Sequence, residues 1–146
     1  MKTGTFLKEL DHARIVAAIA AAEAGCRAEI RVHVSNEAVL DAQKAAVTQF
    51  EKLGMTATRE RNGVLIYVAP ASRKLAIIGD LGIHQHCGPG FWRETAATME
   101  AEFREGRFTD GIVAGVTGAG LALATHFPRG THPPDVNELP DEVSED

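Results

Sequence analysis

Residues 62–83, NGVLIYVAPASRKLAIIGDLGI, place the tightest limit on the fold. Two runs of β-branched and aliphatic residues, 64–69 and 75–79, flank the polar turn 70–74, which is the pattern of a β-hairpin. Both runs are apolar almost throughout, without the polar alternate positions of a sheet that has one wet face. The prediction is a hairpin inside a sheet covered on both faces, and so an α/β layer structure.

The other elements follow from periodicity. A first helix is expected over residues 8–24, with Ile15, Ile19 and Ala22 on its apolar stripe and Gly25 as its stop. In the strand expected at Glu29–Val34, Ile30, Val32 and Val34 alternate with Arg31 and His33, the pattern of an edge or half-covered strand. Ser35 and Asn36 are good caps for a second helix that carries Val39, Ala42, Ala46, Phe50 and Leu53 and ends at Gly54, and residues 56–59 read as a short strand. After Pro89, the spacing of Trp92, Ala96, Met99 and Phe103 predicts a third helix with the lone Trp as its core anchor. A fourth helix is expected from Thr109 or Asp110, either of which can cap it, to about Phe127. Its uncharged stretch, 111–125, falls short of the about 20 apolar residues that span a bilayer. It therefore reads as a helix buried against the sheet, with no transmembrane segment. The expected order is α-β-α-β-β-β-α-α around a mixed central sheet, with helices on both faces and a crossover that makes the strand at Glu29–Val34 parallel to a hairpin strand.

A chain of 146 residues with 45% hydrophobic content closes one core but hardly two, so a single domain over residues 1–128 is expected. The formal charge of −5 is concentrated: residues 135–146 hold six acids and no base. The remainder is about neutral, without the dense positive field of a nucleic-acid binder. Residues 129–146, acidic and rich in proline, are expected to be disordered or loosely attached, a solubilising tail or a docking segment for a basic partner. No apolar run of signal-peptide length precedes Lys8, Glu9 and Asp11, so a cytoplasmic protein is expected, with Cys26 and Cys87 as reduced thiols.

Several short pieces stand in a familiar order: FLKEL, AEIRVHVS, FEKLGM, RNGVLIYVAP, SRKLAIIGDLGI, FW, FREGRFTDGI and HFP. As an ordered set, from about Phe6 to Pro128, they make the chain resemble the TPM domain family, and most of all its short, soluble bacterial branch. The resemblance implies a compact α/β fold. It also implies a choice among functions linked to that family: acid-phosphatase activity, divalent-metal binding, photosystem repair in plants and partnership with membrane proteins. Many relatives carry a signal peptide and a membrane anchor; the sequence shows neither, which weighs against the membrane-partner roles.

For chemistry, residues 79–90, GDLGIHQHCGPG, bring Asp80, His84, His86 and Cys87 into one segment read as an irregular loop, able to hold a metal where its side chains converge. In an extended segment His84 and His86 share a face. A second group is Asn62, Asp80 and Asp110. Hairpin pairing places Asn62 and Asp80 at the same open end of the ribbon, and such oxygen ligands suit calcium or magnesium better than zinc. By the resemblance, metal binding and acid-phosphatase activity would lie near such a carboxylate-lined cleft, with Asp80 as its first residue. The plainer reading of the same residues is a turn at Asn62 and a cap at Asp80. Ser72, Arg73 and Lys74 offer charge and hydroxyl for a phosphate, though a solvated turn is the simpler account.

Neither a G-x-x-x-x-G-K-[ST] loop, nor a strand followed by G-x-G-x-x-G, nor a G-x-S-x-G elbow is present. Three functions are consistent with the sequence: a binding or assembly module for a protein partner, a metal-dependent phosphatase in which Asp80 and Asp110 hold the cation, and a metal-sensing module. The first is the favoured expectation, with a divalent cation as an accessory ligand.

Overall fold

A computed structural model describes residues 2–58, 60–88, 90–128 and 141–146. The hairpin forms as the apolar runs require. Strand β2 (Gly63–Ala69) is buried along its whole length and pairs antiparallel with β3 (Lys74–Gly79), in a register running from Val64 opposite Gly79 to Ala69 opposite Lys74. A 3₁₀ turn, Pro70–Ser72, and Arg73 in the left-handed region (φ 52°) join them. Strand β1 (Glu29–Val34) lies parallel to β2, Glu29 opposite Gly63, and β4 (Ser144–Glu145) lies parallel to β1, giving the order β3-β2-β1-β4.

Helices cover both faces of this mixed sheet. On one face α3 (Ala42–Lys52) packs Ala46 and Phe50 on Leu65, Tyr67 and Ala76. On the other, α1 (Thr3–Glu9), α2 (His12–Ala24), α5 (Arg93–Arg104) and α6 (Phe108–His126) bury Phe6, Ile15, Ile19, Met99, Ile112 and Val116 on the alternate side chains of the strands, among them Ile30, Val32, Val64, Ile66 and Ile77. The apolar stretch expected as a buried helix is α6, and its glycines account for its closeness to its neighbours. A Cβ at Gly111 would stand 2.5 Å from the Phe103 ring, one at Gly120 would stand 2.7 Å from the Ala22 methyl, and one at Gly115 would run into the Met99 thioether.

Several boundaries differ from the sequence reading, each for a local reason. The first helix is two helices, because Leu10 is buried in extended backbone and the Asp11 carboxylate caps α2 by accepting from Arg14 N–H at 3.1 Å. Helix α3 begins at Ala42, capped by Asp41 (Lys44 N–H, 3.2 Å), while Ser35 and Asn36 bond elsewhere. In place of a strand at 56–59 there is a 3₁₀ turn, Met55–Ala57, that buries Met55 under Phe50; Arg59 lies outside the described residues. Thr109 does not cap α6: its hydroxyl accepts from Asp11 N–H at 3.0 Å, and Asp110 sits inside the first turn. Trp92 is half-buried just before α5 rather than its anchor; Met99, with no exposed surface, takes that role. Residues 79–90 are not a loop, since Leu81–Cys87 forms helix α4. Of the acidic tail, residues 129–140 lie outside the described residues, whereas Ser144 and Glu145 join the sheet instead of trailing loosely. Cys26 and Cys87 form no disulfide.

Candidate functional site

The end of β3 is built around one carboxylate. Asp80 is 6% exposed and accepts Arg61 Nε at 2.7 Å and Arg61 Nη2 at 2.8 Å, a bidentate pair. The same carboxylate caps α4 by accepting Leu81 N–H at 2.8 Å. The adjacent glycines permit the approach. A Cβ at Gly79 would meet Ile83 at 2.6 Å, and one at Gly82 would meet the Glu60 and Arg61 carbonyls at 2.6 and 2.8 Å. Arg61 itself has φ 52°, an uncommon conformation for a residue with a Cβ, held by its carboxylate partner. The Asp80 hydrogen bond raises the guanidinium pKa further, against the effect of desolvation.

Asn62 and Asp110 do not gather around Asp80. Asn62 is at the same end of the hairpin but in phase with Val64, Ile66 and Val68, on the α2–α6 side, while Asp80 is in phase with Ala76 and Ile78, on the α3 side. Asn62 Nδ2 donates to the Arg27 carbonyl, and its buried Oδ1 has no hydrogen-bond partner among the described residues. Asp110 pairs with Arg14 at 2.6 Å at the start of α6, beside Phe108 and therefore near the Pro70 turn. The C-terminal end of α6 is the one near Arg27, through Arg27 N–H to Phe127 O at 2.8 Å. Asp110 and Asp80 thus sit at opposite ends of the molecule, with a 19-residue helix between those ends. His84 is exposed on α4, and the backbone of Leu81–Cys87 is helical, so the extended-strand argument for His84 and His86 does not apply. Burial pushes the Cys87 thiol pKa up, away from thiolate chemistry. Among the described residues no group of three or more His, Cys, Asp or Glu is arranged to hold a metal ion. Arg61, which sequence reasoning missed, is the residue that Asp80 serves; the signal was a basic residue just before Asn62, at the same open end of the hairpin as Asp80.

The model of the TPM domain matches residues 2–122. The chain belongs to the TPM domain family. It is similar to the BA42 protein of the psychrophilic bacterium Bizionia argentinensis, known from an NMR structure, with 37% identity and TM-score 0.84 over 94% of this chain and 96% of that one. The fold alone is shared with the N-terminal domain of a protein from P. gingivalis (16% identity, TM-score 0.62, 80% of this chain and 76% of that one). No curated protein matches the chain.

Two concavities of this TPM domain lie elsewhere, on either side of Leu75. One, of about 520 Å³, has a floor of Phe6, Phe103 and Phe108 and a rim that includes Arg73, Lys74 and Arg104. The other, of about 420 Å³, runs along residues 75–79 of β3 past Trp92, Arg93 and Ala96. Because Leu75 lines both, they form one groove between β3 and α5. No motif marked it, since its charges come from the hairpin turn and from α5, far apart in sequence.

Proposed function

We propose that this TPM domain is a binding module that engages a protein partner through the groove between β3 and α5. The observation that carries the reading is the groove itself: an apolar, aromatic floor with four basic side chains, Arg73, Lys74, Arg93 and Arg104, against one acid, Glu100. The state of Asp80 favours binding over catalysis, because both of its oxygens already serve Arg61 and α4. A divalent cation at Asp80, calcium or magnesium by the oxygen donor, enters the proposal as a competitor of Arg61.

The test is an amide-resolved NMR titration of the labelled protein with pooled synthetic peptides sorted by net charge, then with calcium and magnesium. Saturable shifts at Leu75, Trp92 and Phe103 on adding peptide support the binding module. Shifts restricted to Arg61 and residues 80–84 on adding metal, together with hydrolysis of p-nitrophenyl phosphate that Asp80→Asn abolishes, would replace it with a metal-dependent phosphatase.

A further inference from the structure

Three backbone hydrogen bonds at the strand ends set the phase of the whole sheet. Glu29 N–H donates to Asn62 O at 3.0 Å and Ser35 N–H to Val68 O at 2.8 Å, so Asn62, Val64, Ile66 and Val68 turn their backbone groups toward β1. Asp80 N–H donates to Gly63 O at 2.9 Å, which makes the antiparallel pairs 65/78, 67/76 and 69/74 the hydrogen-bonded ones. Lys74, Ala76 and Ile78 therefore bond to β2. Leu75, Ile77 and Gly79 turn N–H and C=O outward, and β3 is the last strand of the sheet on that side. Among the described residues none bonds to those outward groups.

The groove follows this row. Its lining takes both parities of β3, Leu75 and Ile77 from one face and Ala76 and Ile78 from the other, with Gln43 of α3 and Ala96 of α5 on opposite sides of the sheet. It opens on the edge of the strand, then, and not on one face. An open edge of this kind is a template for an added strand. Charge complementarity selects the occupant. Arg93 lines the concavity along the edge, and Arg73, Lys74 and Arg104, the last 4.0 Å from Glu100, line the one at its turn end, so a second copy docking β3 against β3 would bring like charges together, whereas an acidic segment meets their opposites. The other edge of the same sheet already takes a strand from an acidic segment, Ser144–Glu145.

We propose that β3 accepts an extended acidic segment of a protein partner as an added strand, bonded to the backbone of Leu75, Ile77 and Gly79, with its carboxylates against Arg73, Lys74, Arg93 and Arg104. This rests on the binding-module reading and specifies how the groove is used. The probe is an alternating Val-Glu octapeptide, compared with a Val-Lys octapeptide and with a Val-Glu peptide N-methylated at alternate residues. Hydrogen exchange should slow about tenfold at Leu75, Ile77 and Gly79 with Val-Glu, while Ala76 and Ile78, already bonded to β2, stay unchanged. The N-methylated and Val-Lys peptides should not bind. Arg93→Glu with Arg104→Glu, both at exposed positions, should weaken Val-Glu binding about tenfold without changing the fold.

Shifts at Trp92 and Phe103 without new protection at the three amides, or equal binding of the N-methylated peptide, would overturn strand addition and leave the groove as a side-chain binding site. Concentration-dependent protection of the same amides in the free protein would overturn the acidic partner in favour of a second copy. No response to any peptide, pooled or alternating, would overturn both the strand addition and the binding module.

Discussion

Beside β1 the chain lays residues 141–146, whereas beside β3 the described residues lay nothing, although the two strands carry similar apolar side chains. The covering of β1 is largely polar. Ile30 N–H, on the outward row of β1, donates to Glu23 Oε2 at 2.8 Å. Farther along, the Asp146 carboxylate accepts from Ser35 Oγ and Asn36 N–H at 2.7 Å each, and lies 2.7 Å from His33 Nε2. His33 is 1% exposed and stacks on Tyr67, with its Nδ1 3.0 Å from Ser144 Oγ. Arg31 and His33, the polar positions that make β1 read as an edge, belong to the strand that is covered. Strand β3, apolar apart from Lys74, is open among the described residues. Alternation of side chains reports which faces of a strand are buried and carries no information about its lateral neighbours. A largely apolar strand can therefore end a sheet, and this one has only Lys74 among the usual devices that blunt an edge.

The sharpest way to break that comparison is to remove residues 141–146. His33, Ser35 and Asn36 would then face water or one another, and the loss of several charge-assisted hydrogen bonds should cost about 3 kcal/mol of stability in denaturant unfolding. The exposed β1 should also self-associate, visible as a concentration-dependent sedimentation coefficient. An unchanged midpoint and a monomeric truncated protein would mean that β4 covers nothing.

The same covering predicts a pH dependence with two limbs. Burial first, and then a hydrogen bond with Asp141, raises the Glu23 pKa from 4.5 to about 8, with Glu29 adding to the repulsion. The folded state holds a proton that the unfolded state releases across that interval, so stability falls as pH rises from about 4.5 to about 8. Glu23→Gln should flatten this limb. For Asp146 burial alone would raise the pKa, but the hydrogen bonds from Ser35, Asn36 N–H and His33 hold it below its ordinary 3.8. Its contribution is present above that value and disappears as pH falls through the lowered one. A Glu23→Gln profile as steep as that of the parent would locate the proton elsewhere.

At the end of the open edge, Asp80→Asn should cost about 2 kcal/mol, through the weakened cap of α4 and the lost ion pair with Arg61. Arg61 is 42% exposed as a side chain and can turn to water, which keeps the loss below that of a fully buried pair. Exchange should quicken at Leu81 and Gly82 and stay slow along β1. If the β1 amides quicken equally, the two edges are one cooperative unit and the comparison between them fails as a description of local stability.

How far the sequence reached follows the same division. The faces of the sheet, the hairpin, the parallel crossover and the buried α6 were legible, because runs such as VLIYVA and the spacing of Ile112, Val116 and Leu123 record what lies above and below. Helix α4 was not, since LGIHQHC has no apolar stripe; what makes it a helix is Asp80 capping it and Gly82 lying on the backbone of Glu60 and Arg61. Nor was β4, where VSED shows little strand propensity and is held through Asp146 and His33. The proposed ligand set separated for a related reason. Position along a hairpin is readable, but Asn62 and Asp80 sit on opposite faces, and Asp110 was placed without knowing which end of α6 meets which end of the sheet.

Trp92 gives the smallest effect. Helical spacing alone suggests a buried anchor, whose truncation would cost about 3–5 kcal/mol. Its partly buried position in the wall of the open groove lowers the expectation for Trp92→Ala to about 1–2 kcal/mol, since only part of the indole packs on the core and the rest is already in water. Met99→Ala, at the fully buried position of α5, should cost about 3 kcal/mol. The contrast between the two variants measures how open this side of the domain is. Equal losses would mean that the indole is a structural part of the core and that the groove closes in solution. A small loss for Trp92→Ala, with slow exchange retained at Ala76 and Ile78, would leave β3 intact and its outer edge free for another strand.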